Sequence, residues 1–66
     1  MNLYYVDVKV FDIFEEISSF IRKAVIATDE DSARDIVAKQ LEEDIKSAEA
    51  PCAGYEIIKI EFIRKL

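Results

Sequence analysis

The 66-residue chain contains no histidine and no tryptophan, and only one cysteine, one glycine and one proline. Without histidine it lacks the commonest general base and the commonest metal ligand, and Cys52, Ser18, Ser19 and Ser32 have no imidazole to take their protons. Catalysis is therefore not expected. A lone Gly54 cannot build a glycine-rich phosphate cradle, so no nucleotide-binding motif is present. One cysteine excludes an intrachain disulfide and fits a reducing compartment; Cys52, between Pro51 and Ala53, is given no role. No run approaches the roughly 20 apolar residues of a membrane span, and Tyr4, Asp7 and Lys9 interrupt any signal-like stretch. The expectation is a soluble, cytoplasmic protein.

Bases are also scarce: nine against fourteen acids, a formal charge of −5. Binding to a phosphate backbone draws most of its strength from Lys and Arg releasing counterions, so direct nucleic-acid binding is not expected. Residues 1–66 make one domain, and a chain of this size buries only about 60% of its unfolded surface, which leaves its core marginal.

The plainest periodicity runs from Thr28 to Glu49. Ala33, Ile36, Val37, Leu41, Ile45 and Ala48 recur at helical spacing as one apolar stripe, while Asp31, Asp35, Glu42, Lys46 and Glu49 fall outside it. Thr28 is the expected N-cap, and Asp29, Glu30 and Asp31 suit the positive end of the helix dipole. Pro51 predicts a stop by about Ala50. Asp35 with Lys39, and Glu42 with Lys46, are acid-before-base pairs four residues apart.

Leu3 to Phe11 alternates with strand period, with Tyr4, Val6, Val8 and Val10 toward the helix and Tyr5, Asp7, Lys9 and Phe11 away from it. Ile17 to Ala27 reads as a second strand, although its apolar residues come in adjacent pairs that suggest a bulge or burial on both faces. Ile13, Ile17, Ile21 and Val25 also suit a helix; the β-branched content and the cap that follows favour strand. Between the two, Asp12 to Glu16 has no Gly or Pro and predicts a loop longer than a tight turn. Tyr55 to Leu66 is the third strand, with Ile58, Ile60, Phe62 and Arg64 on one face and Ile57, Lys59, Glu61 and Ile63 on the other. A β-β-α-β order with a right-handed crossover gives a two-layer α+β fold: a three-stranded antiparallel sheet of order 2-1-3 with one helix on one face.

Two surfaces then stand out. The acidic helix face, Asp31, Asp35, Glu42 and Glu49, suits a protein partner, imitation of nucleic-acid phosphates being one version of that reading. The sheet face away from the helix gathers Tyr5, Phe11, Ile57 and Ile63, with one of each pair Phe20/Ile21 and Val25/Ile26, and suits a homodimer interface, by this face or by an edge strand. No metal site and no cofactor are expected. Asp29-Glu30-Asp31 lacks the glycine and distant glutamate of a calcium loop, and the alternative, a metal-dependent regulator or small enzyme, rests only on carboxylates such as Asp29, Asp31, Glu15 and Glu16.

The stretch Phe20-Ile21, then Ala24-Val25-Ile26-Ala27-Thr28-Asp29-Glu30-Asp31-Ser32-Ala33-Arg34, resembles the strand-to-helix passage of small phage- and plasmid-encoded proteins of the DpnD/PcfM-like kind. The resemblance covers about a third of the chain. It implies an accessory protein of mobile elements without a known catalytic site. Phage inhibitors of bacterial defence, anti-CRISPR proteins included, are similar in being short and acidic. The function expected is thus a non-enzymatic protein-binding module, an inhibitor or adaptor of a host protein.

Overall fold

A computed structural model describes residues 1–12, 17–49 and 53–66. Its elements are β1 (Asn2–Asp12), β2 (Ile17–Ala27), α1 (Glu30–Ser47) and β3 (Ala53–Lys65). Both outer strands run antiparallel to β1 in the order β2-β1-β3, and α1 touches all three. This is the two-layer α+β fold that the alternation and connectivity predict. The loop expected after Asp12, and Cys52, lie outside the described residues.

The even-numbered side chains of β1 face the helix, as its pattern requires. Tyr4, Val6 and Val8 are buried with Val25 and Ala27 of β2 and with Ala33, Val37 and Leu41 of α1. Val6, Val8 and Val37 are sealed from solvent, and burial of each contributes on the order of 2 kcal/mol. Ile36 packs partly against this cluster, and Ile45 is half-buried, so the helical stripe is used; Ala48, at its end, is exposed.

The helix begins one residue later than Thr28 predicts. Asp29 is the N-cap, and its Oδ1 accepts from the Ser32 backbone N–H at 2.8 Å. A charged acceptor aimed at the positive helix end outcompetes the neutral hydroxyl of Thr28, which lies 3.3 Å from the Ser32 Oγ instead. Asn2 ties this turn to the sheet, its Nδ2 donating to the Thr28 carbonyl at 3.1 Å. The far end closes at Ala48, two residues short of the predicted limit, and Glu49 then adopts a left-handed φ of 52°.

β2 pairs with β1 in unbroken register from Asn2↔Ala27 to Asp12↔Ile17. Its paired apolar residues therefore divide between faces rather than marking a bulge: Ile21 and Val25 lie opposite Val8 and Tyr4, and Phe20 and Ile26 opposite Lys9 and Leu3. The irregularities are in β3. Register slips between Leu3 and Tyr4 and between Asp7 and Val8 leave Ile63 and Ile58 without partners on β1. The strict alternation expected of β3 is thereby broken, and Ile57, Ile60 and Phe62 all come to lie beside helix-facing residues of β1.

Candidate functional site

The sheet face opposite α1 is built from the odd residues of β1 and their cross-strand partners. At its centre Asp7 lies between Arg22 and Lys59, and Tyr5 between Ala24 and Glu61. Arg22 Nε donates to Asp7 Oδ1 at 2.8 Å, and its guanidinium carbon sits 5.4 Å from the Tyr5 ring centroid. One cation thus serves a carboxylate and an aromatic face at once. The hydrogen bond to Arg22 holds the Asp7 carboxyl below its usual range, and Asp7 in turn holds the guanidinium above its own.

Apolar side chains flank this charged centre. Ile26 pairs with Leu3 at one end, and Phe20 pairs with Lys9 toward the other. Phe20 is 74% exposed and Ile26 53%, while Leu3, Tyr5 and Phe11 are half-buried. The predicted patch is accordingly redrawn. Tyr5 belongs to it, and so by register does Phe11, which also lines a hollow with Glu42, Ile45 and Lys46 of α1; Ile57 does not, because it pairs with buried Val8 and packs against the core. Ile63 is half-buried at a bulge, with no β1 partner to place it on this face. The bulges are the physical reason: a period of two counted from Tyr55 fails wherever β3 carries an extra residue. The choice within the pairs Phe20/Ile21 and Val25/Ile26 needed the β1–β2 register, which puts Phe20 and Ile26 on this face. Arg22 was missed as its organising residue; the signal was its position opposite Asp7 once that register is known.

The acidic surface is the second candidate. Asp31, Asp35, Glu42 and Glu49 are all exposed. Eight acids (Asp29, Glu30, Asp31, Asp35, Glu42, Glu43, Asp44, Glu49) against Arg34, Lys39 and Lys46 give residues 29–49 the whole formal charge of the chain, −5. The open sheet face carries Asp7, Glu56 and Glu61 against Lys9, Arg22, Lys59 and Arg64, and is nearly balanced. Glu42 has a structural attachment besides: its Oε1 accepts from the Tyr55 hydroxyl at 3.0 Å, linking α1 to β3. Burial, and then this bond, raise the Tyr55 hydroxyl above its ordinary pKa.

Two hollows, of about 520 and 330 Å³, flank the C-terminal half of α1. Their linings are mainly apolar, Ile45 and Ala53 belonging to both, with Glu42, Lys46 and Asp44 as the charged members. No three metal-ligating side chains gather among the described residues, and Asp29 is occupied as a helix cap. Glu15 and Glu16 lie outside the described residues. No described helix is long and apolar enough to cross a membrane. No family model, protein of known function or solved structure matches this chain.

Proposed function

We propose that the protein is a non-enzymatic binding module that docks on a larger protein through its acidic helix layer. In this reading it is a cytoplasmic inhibitor or adaptor of a host protein, of the kind phages and other mobile elements encode, anti-CRISPR proteins among them. The observation that carries it is the separation of charge: the whole −5 resides in residues 29–49, on one side of the molecule. Carboxylates spread along an exposed helix meet a basic surface without desolvating any buried group, and they steer its approach over about a Debye length. A groove shaped for nucleic-acid phosphates has the complementary sign. The amplitude of such docking resides in Asp31, Asp35 and Glu49 more than in Glu42, whose carboxylate is engaged with Tyr55.

The test is affinity capture from host lysate with the wild type and with a variant carrying Asp31→Lys and Asp35→Lys, washed at rising salt. A partner held by the wild type, shed steeply with salt and absent from the variant supports the reading. A partner retained equally by both, or turnover of a metabolite by the purified protein, overturns it.

A further inference from the structure

We propose that the open face of the sheet pairs with the same face of a second copy, giving a helix–sheet–sheet–helix dimer. This goes beyond docking through the helix layer and uses the opposite side of the molecule.

Both sheet edges are closed to an added strand. β3 is interrupted at Ile58 and Ile63, and bulges break the row of backbone groups a partner strand would need. β2 is regular, but Lys23 at its middle lies opposite buried Val6 and therefore points to the helix side, half-buried. An inward-facing lysine on an edge strand is a device by which sheets stop their own extension, since a neighbouring strand would strip water from the ammonium. The face is what remains for self-association.

Charge selects that face over the helix layer. Two copies meeting by their helices would oppose −5 to −5, whereas sheet-to-sheet contact brings together nearly neutral surfaces and leaves both acidic layers outermost. Area sets the strength. Three strands about 4.8 Å apart, with about 3.4 Å per residue, offer on the order of 500 Å² per copy over the 11 residues of β1. The total of about 1,000 Å² stands at the lower bound of specific interfaces, so the dimer is a weak one. Phe20 and Ile26, more than half exposed, are its apolar anchors. Arg22 is already held by Asp7 and Tyr5, so it loses little freedom on contact.

Sedimentation velocity from about 10 µM to about 1 mM decides the matter, since that range brackets weak dissociation constants. The wild type should pass from monomer to dimer, and Phe20→Asp and Ile26→Asp should stay monomeric with unchanged circular dichroism. Should either aspartate variant fail to fold, Phe20→Thr and Ile26→Thr take its place, with dimerisation weakened tenfold or more. Asp31→Lys should leave the dimer intact, which separates this proposal from docking through the helix. A wild type that is monomeric at the highest concentration, or a dimer indifferent to both Phe20 and Ile26 variants, overturns it. So does a dimer that Lys23→Glu abolishes while the face variants do not, because the interface would then be the β2 edge.

Discussion

The ring of Phe11 fills the space that a side chain at residue 54 would need. A Cβ built on Gly54 falls 2.8 Å from both Cε2 and Cζ of that ring. The two residues are cross-strand partners, and Gly54 has no positive φ, so close approach rather than backbone conformation is what calls for glycine. The aromatic ring covers the gap that the missing side chain leaves in the ladder.

Gly54→Ala should therefore displace the Phe11 ring and destabilise the fold by about 1 kcal/mol, although alanine is the better strand residue. In a Phe11→Ala background the same substitution should become stabilising by about 0.5 kcal/mol, because only the entropic gain of removing glycine is left. Urea unfolding of the four members of the cycle measures both. Equal effects in the two backgrounds would show that the ring and the glycine do not interact.

The C-terminus of α1 carries a second backbone prediction. Glu49 has a φ of 52°, a left-handed conformation that costs a residue with a Cβ about 1 kcal/mol and glycine almost nothing. Glu49→Gly should raise stability by about that amount, and Glu49→Ala should not. Thermal or urea melts of the two variants distinguish relief of strain from loss of a negative charge, which both substitutions share.

How far the sequence reveals this molecule depends on how regular each element is. The α1 stripe and the alternation of β1 were legible because neither element departs from its period; Ala33, Val37 and Leu41 meet Tyr4, Val6 and Val8 as their spacing implies. β2 was legible as a strand but not in its facing, since adjacent apolar pairs satisfy either parity until the β1 register is known. β3 misled at Ile57 because its two bulges leave no glycine or proline in the letters that surround them. The N-cap was displaced by one residue for a local reason, two acceptors being adjacent and the charged one prevailing. For the binding surfaces, composition identified the acidic helix, whereas the junction of Arg22, Asp7 and Tyr5 depends on three residues brought together by strand pairing.

That junction predicts behaviour in acid. The Asp7 carboxyl is held down chiefly by its hydrogen bond to Arg22, so its folded pKa lies below the ordinary aspartate value of 3.8. A depressed carboxylate pKa contributes stability that is present above the unfolded value and is lost as pH falls through the folded one. The side-chain carboxyl resonance of Asp7 should titrate below 3.8 in the wild type and move upward in Arg22→Gln. The variant should also lose less stability than the wild type between neutral pH and the acid limb. An Asp7 titration unmoved by Arg22→Gln would remove the ion pair as its cause.

The contact between Tyr55 and Glu42 predicts the opposite limb. The Tyr55 hydroxyl donates to Glu42 at 3.0 Å and is raised above 10.0, first by burial and then by this bond and the nearby negative charge. For an acid whose folded pKa is raised, the stabilising form is the protonated one. Its contribution is complete below the unfolded pKa and disappears as pH rises through the folded value, so the loss belongs above pH 10.0. Near neutrality, Tyr55→Phe should cost about 0.5 kcal/mol, the lower range for a hydrogen bond at a partly solvated site. Glu42→Gln keeps an acceptor but removes the charge, so it should retain most of that stability while lowering the pH at which the Tyr55 phenolate forms. Ultraviolet titration of the phenolate, with Tyr55→Phe identifying the component that belongs to this residue, supplies the measurement. A Tyr55 titration unchanged by Glu42→Gln would leave burial as the whole cause and reduce the bridge between α1 and β3 to a contact without electrostatic weight.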